Sequence, residues 1–287
     1  LEDAKEATGL NAWKMMVENN RYILKPLALN LTAKIPEDAD VIAIVNPTQN
    51  FLDYEILGLQ EYLKNGGSIF MALKAKQTVG LDKILKPIGI EPMNNYVLNL
   101  VQTQQGAGIQ QGQTLGTVFS ANSEITKVFG KNDALIFRNP MSFRRTTVPE
   151  GVTVDEIIKA PESSMSFDSL KIAGDGPQGA YTLAMTAQGK FPGSASNKPF
   201  SMVLVGDTDF MANQLLGQTL NRDLALNSLA SLAKEENLIS ISPKESQVTK
   251  MMMTETMFYV FLLAFAIPLP VALLGTSITL WMKRRHA

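Results

Sequence analysis

The sequence predicts an α/β protein, an open and mostly parallel sheet with helices on both faces, followed by one C-terminal transmembrane helix. Three observations carry this expectation. Residues 41–45 (VIAIV) and 68–73 (SIFMAL) are unbroken apolar runs, as strands covered on both faces require. Between them Leu52, Ile56, Leu59 and Leu63 recur at helical spacing, so strand, helix and strand form a right-handed βαβ unit of about 33 residues. Residues 257–281 carry no charge. Glu255 and Lys283 bracket roughly 27 uncharged residues, where about 20 suffice to cross a bilayer.

The remaining elements follow in order. Residues 13–20 read as the end of an amphipathic helix, and 22–27 as an edge strand in which Pro26 is tolerable. Asn50 is the expected N-cap of the first crossover helix, with Asp53 and Glu55 in its favourable first turn. Asn65-Gly66-Gly67 supplies its left-handed stop. A further helix over 79–85 ends before Pro87. Within a less regular stretch, 99–201, the Gln- and Gly-rich residues 102–116 read as a flexible loop. Residues 120–129 suggest a short helix capped by Asn122 or Ser123, and 134–137, 152–158 and 181–187 suggest strands. A loop spans 190–198. Residues 200–205 form a buried strand ending at Gly206-Asp207-Thr208-Asp209-Phe210. Asn221-Arg222-Asp223 leads into a helix with Leu224, Leu226, Leu229 and Leu232 inward, and 238–241 suits a last edge strand. The organisation is then a body over 1–241, a juxtamembrane linker over 242–255, a span over 256–282 and a tail over 283–287.

The flanks of the span set its orientation. Trp281 sits at interfacial level and Lys283, Arg284 and Arg285 follow directly, which predicts a cytoplasmic C-terminus and an extracytoplasmic body held at the inner membrane. Such a body has to be exported, so an upstream signal or first transmembrane helix is expected before Leu1. Pro268 and Pro270 suit a kink, and Gly275, Thr276 and Ser277 a close helix contact. With no charge inside it, a lone span is an anchor or a docking helix and not a transport pathway.

Several chemistries are excluded. The chain has no cysteine, and its one histidine, His286, lies in the tail, so thiol catalysis and histidine-based catalysis or metal binding in the body are ruled out. No Gly-rich loop ending in Lys-Ser/Thr is present, so the chain is not an ATPase of that class. A net charge of -1 argues against nucleic acid as a partner.

Five blocks in order carry a resemblance: residues 35–40 (IPEDAD), Asn65-Gly66-Gly67, residues 206–210 (GDTDF), Asn221-Arg222-Asp223 with Asn227, and the apolar span closed by Lys283-Arg284-Arg285. From Ile35 onward the chain resembles the GldG-like auxiliary components of gliding-motility-type ABC transporters. The resemblance implies an α/β fold related to class I glutamine amidotransferase-like (flavodoxin-like) domains and to a domain of intraflagellar transport proteins. It also implies a separate permease and a cytoplasmic ABC ATPase as partners. Amidotransferase chemistry needs a Cys–His pair that this body lacks, so a non-enzymatic auxiliary subunit without cofactor is expected.

The candidate site lies where ligands bind in open α/β sheets, beyond the carboxyl ends of the strands. Asn46, Lys74, Asp207 and Asp209 fall there, with Asn221, Arg222 and Asp223 nearby. One reading is a polar rim for a saccharide or a hard cation. The other is that Asp207 and Asp209 cap turns and the Arg222–Asp223 pair locks a loop, which carries more weight because a lone Asp-x-Asp falls far short of a calcium loop. The alternative function is accordingly a membrane-tethered module binding a glycan or other envelope ligand without a transporter. A hydrolase working with carboxylates alone has little support, since no paired acids stand out.

Overall fold

A computed structural model of the chain describes residues 6–29, 34–103, 106–110, 112–172, 174–234, 259, 263 and 268–285. By its contacts the chain divides into two units, Leu1–Ile241 and Ser242–Ala287.

The first unit starts with helix α1 (Asn11–Asn19), which buries Trp13, Met16 and Val17. The chain then runs extended, but 22–27 form no strand. Tyr22 and Leu24 pack on one core cluster and Leu29 on the other, so this segment passes from one face to the other instead of pairing along an edge. Strand β1 (Val41–Val45), helix α2 (Asp53–Lys64) and strand β2 (Ser68–Ala72) form the expected unit, with β1 and β2 parallel. The start of α2 differs from expectation. Asn50 does not cap it; the N-cap is Leu52, whose N–H donates to the Glu55 carboxylate at 2.8 Å. Leu52 is therefore outside the apolar stripe and 54% exposed, while Ile56, Leu59 and Leu63 are buried. At the other end Gly66, at φ 87°, lets its N–H reach Leu63 O and that of Gly67 reach Tyr62 O, which is the full left-handed stop.

After β2 comes a single turn, α3 (Asp82–Leu85), continued through Pro87 as a 3-10 turn (Lys86–Ile88), shorter than the helix expected over 79–85. Strand β3 (Ile90–Pro92) precedes β4 (Tyr96–Thr103) and β5 (Gly106–Gln110). The last two correct the flexible loop expected over 102–116. They are a hairpin in the register Asn99↔Gln110 to Thr103↔Gly106. Ladder bonds are made by backbone, which Gly provides as well as any residue, so a Gln/Gly composition did not forbid pairing.

Strands β6 (Thr114–Gly116), β7 (Val118–Phe119), β8 (Leu135–Phe137) and β9 (Phe143–Arg145) are short. Residues 120–129 are turns, not a helix: Thr126 and Lys127 N–H both go to Ser123 O, and the pattern does not propagate. Strands β10 (Val152–Lys159), β11 (Ser164–Phe167), β12 (Thr182–Gly189) and β13 (Phe200–Val205) follow, then helix α4 (Asn221–Leu232). The strand expected over 238–241 lies outside the described residues.

The main sheet has eight strands, with the path β1-β2-β13-β12-β10-β7 and β9 and β3 joined at β12. It is mixed, not mostly parallel. Only β1–β2 and β2–β13 are parallel; β12, β10, β7, β9 and β3 all join antiparallel. The reason is the long insertion between β2 and β13, whose strands turn back on one another by hairpin logic. Helices cover both faces. α1 and α4 pack on the cluster containing Phe70, Ala72, Val203 and Val205, and α2 and α3 on that containing Ile69, Met71, Met202 and Leu204. Alternate residues of the same strands thus feed opposite clusters.

In the second unit, helix α5 (Pro268–Arg285) is the described part of the expected span. Residues 256–258, 260–262 and 264–267 lie outside the described residues. Among those described, no helix is long and apolar enough to cross a membrane.

The corrected facing of α2 sets a stability contrast. Leu63→Ala, at a fully buried site, is expected to cost about 3 kcal/mol, and Leu52→Ala less than about 0.5 kcal/mol. Urea denaturation followed by Trp13 fluorescence in a Trp281→Phe background measures both; equal effects refute the assignment.

Candidate functional site

Register brings the strand ends together. Ala72 lies between Val45 on β1 and Val205 on β13, so the three parallel strands stop level. Asn46, Lys74 and Asp207 leave this common edge within two residues of those positions. Leu73 N–H donates to Val205 O at 3.0 Å and Asn46 N–H to Ala72 O at 3.1 Å, which carries the pairing past the strands themselves.

Gly206 is the tightest point. A Cβ there would stand 1.9 Å from Met141 O, because the Gly206 backbone is hydrogen-bonded to Met141 N–H (2.7 Å) and Leu183 O (2.8 Å) on two sides. Only glycine fits between them. The chain then turns at Asp207, which is fully buried. Its Oδ1 accepts from Asp209 N–H at 3.0 Å, and its Oδ2 from Phe210 N–H at 3.1 Å and Arg138 N–H at 3.0 Å. The carboxylate thereby closes its own 3-10 turn (Asp209–Met211) and ties it to the end of β8, where Phe137 packs on Phe210 at 6.0 Å. Burial, then the charge of Asp209, push the Asp207 carboxyl up to about 7, against the pull of the backbone donors and Lys74.

Asp209 faces outward from the same turn. Its Oδ1 is 2.8 Å from Lys74 Nζ, with side-chain exposures of 11% and 35% respectively. The loops after β2 and β13 are thus bridged by a half-buried ion pair, and the lysine charge on the rim is neutralised. Asn46 adopts φ 50° and its buried Oδ1 has no hydrogen-bond partner among the described residues, an acceptor open to a donor.

The other expected site residues are placed differently. Asn221 is buried inside α4, where Nδ2 donates to Ile136 O (2.9 Å) and Leu215 O (3.1 Å) while Oδ1 accepts from Ile136 N–H (3.0 Å). With both amide donors used, it clamps β8 to α4 and has nothing left to offer a ligand. Asn227 likewise donates to Ile125 O at 3.1 Å. Arg222 is exposed and Asp223 half-buried in the first turn of α4. Arg138 was not foreseen: it supplies a backbone N–H to Asp207 and its guanidinium to Gln214 at 3.0 Å, a backbone role with no sequence signal. Of the basic flank, Arg285 stacks over the Trp281 ring at 5.1 Å, and Lys283 and Arg284 share the last turn of α5. Among the described residues no group of three acidic or histidine side chains is arranged for a metal ion.

The model of the ABC-type uncharacterized transport system family matches residues 2–238, nearly the whole of the first unit. The chain belongs to this family. It is therefore an auxiliary component of an ABC-type transport system. Among solved structures the chain is similar to the mmIFT52 N-terminal domain, at 14% identity and a TM-score of 0.60, covering 79% of this chain and 91% of that one. At that identity the likeness shows the fold alone, as the resemblance implied. It is also similar to ThuA-like proteins from Parabacteroides merdae (10% identity, TM-score 0.46, 78% and 84% covered) and Bacteroides uniformis (13%, 0.43, 77% and 83%). No curated protein matches the sequence.

Two outcomes follow for this rim of the ABC-transport component. Gly206→Ala is expected to destabilise the first unit by about 3 kcal/mol, since two backbone bonds must break to admit the methyl; a shift below about 1 kcal/mol in urea denaturation refutes the close approach. Asp207 takes up a proton on folding, because its folded value near 7 exceeds its ordinary 3.8. Its contribution to stability is therefore greatest below about pH 4 and is lost as pH rises to about 7. Denaturation profiles should show that slope, and Asp207→Asn should remove it.

Proposed function

We propose that this family member is a non-enzymatic, membrane-anchored subunit whose first unit lies outside the cytoplasmic membrane and whose terminal helix packs on the permease. A cytoplasmic ABC ATPase, reached through that permease, supplies the energy. The observation that carries this reading is the pairing of a family-matched α/β unit, catalytically empty of Cys and His, with a terminal apolar segment closed by cations. In α5 the three cations sit in the last turn, at the negative end of the helix dipole and in the position of a cytoplasmic flank. Trp281, beneath Arg285, suits the headgroup level, where an aromatic ring has one wet and one apolar side. The apolar part of α5, about 15 residues, spans only about 22 Å, so the anchor needs the residues before Pro268 to complete it.

Within the family, the ordered blocks support, in our reading, a GldG-like component of a gliding-motility-type transporter. The strand-end rim supports an auxiliary over a catalytic role: its lysine is neutralised by Asp209 and its buried aspartate is saturated by backbone donors.

Two measurements test this. The full chain extracted in mild detergent should bring down a multi-span permease, and cysteines introduced at exposed Lys198 should label in intact cells while those at Lys283 should not. Absence of any permease, or labelling at Lys283 alone, overturns the reading.

A further inference from the structure

A second polar cleft shares no lining residue with the Lys74–Asp209 pair. It has a volume of about 290 Å³ and is lined by Thr78, Asp82, Lys86, Glu91, Pro92 and Asn94. That is close to the low end of the roughly 300–1,000 Å³ of small-molecule sites and suits one ring-sized ligand.

The walls are built. Asn94, at φ 55°, turns its Oδ1 onto the N–H of Lys76 at 3.1 Å, and Lys76 itself sits at φ 65°. Val79, at φ 44°, is a β-branched residue in the left-handed region, and its carbonyl is held by Phe51 N–H at 3.0 Å. Such conformations cost of order 1–3 kcal/mol each and persist where surroundings over-determine them. Beside Thr78, the buried Oε1 of Gln77 has no hydrogen-bond partner among the described residues.

The chemistry of the lining selects the ligand. Arg144 donates from Nε, at 3.0 Å, and from Nη2 to the same Glu91 Oε2, so Glu91 Oε1 keeps its lone pairs. Lys86 Nζ stands 3.6 Å from Asp82, beyond a hydrogen bond, so both groups retain capacity. With its Oδ1 taken by Lys76, Asn94 has its Nδ2 donors left, and Thr78 adds a hydroxyl. Lys86 and Arg144 balance Asp82 and Glu91, so neither an anion nor a cation is favoured. Donors and acceptors lining one cleft match groups that both donate and accept, which are hydroxyls. Pro92, itself buried in β3, closes one side of the cleft. We infer that this cleft binds a neutral pyranose, one sugar unit of a larger glycan or a free sugar. The inference does not depend on docking to a permease.

Saturation-transfer NMR on the full chain, in a detergent without a sugar headgroup, tests it with glucose, galactose and N-acetylglucosamine as probes. At least one neutral ring sugar should receive transfer, with glucuronate, glucosamine and open-chain sorbitol lower by about fivefold or more. Glu91→Gln and Thr78→Val should each reduce the signal of that sugar by a similar factor; the second, at a loop position, keeps the test valid if the first perturbs folding. No transfer from any neutral sugar, equal transfer from sorbitol or the charged analogues, or a signal that survives Thr78→Val overturns the inference.

Discussion

The parallel triplet of β1, β2 and β13 is the constraint on which the remaining structure depends. It joins residues near 45, 72 and 205 in one register, and every loop at that edge inherits its position from it. Because the two apolar runs of β2 and β13 feed both faces, the register cannot slip by one residue without turning both core clusters inside out. The level edge follows, and with it the bridge from Lys74 to Asp209.

Asp207 shows how such an edge is closed without a ligand. A buried carboxylate is costly, and here three backbone N–H groups from two segments offset part of that cost. Gly206 makes this possible by letting the backbones of Met141 and Leu183 approach on either side. The same arrangement leaves a carboxyl that ionises near neutrality in the middle of the fold. A polar rim of this kind is a structural lock first. The orphan acceptor on Asn46 is the feature of the rim that the lock does not use.

The insertion between β2 and β13 gives the sheet its mixed character and supplies the second cleft. β9 and β3 extend the sheet beyond the start of β12, and the turn before β3 carries Lys86 to face Glu91. The two polar edges differ: in the first, Lys74 and the Asp207 carboxyl are engaged internally, whereas side chains lining the second retain hydrogen-bonding capacity.

Much was legible along the chain because the relevant signals are local. The βαβ unit followed from apolar runs and a helical stripe, the stop of α2 from Asn65-Gly66-Gly67, and the capping role of Asp207 from an acid placed two and three residues before free N–H groups. The absence of Cys and the placement of His286 removed Cys–His catalysis from the body before any geometry was known. Most of what the tertiary structure alone decided depends on partners distant in sequence. Antiparallel joining of β12 and β10, Arg138 as a backbone donor to Asp207, and Asn221 as a clamp all arise from contacts between segments far apart in the chain; the hairpin over Gln- and Gly-rich residues is local, and it was hidden because its composition carries no strand signal. A one-dimensional pattern encodes which face a side chain prefers; it does not encode which backbone will arrive opposite, since ladder bonds and close approaches are made by groups that every residue shares.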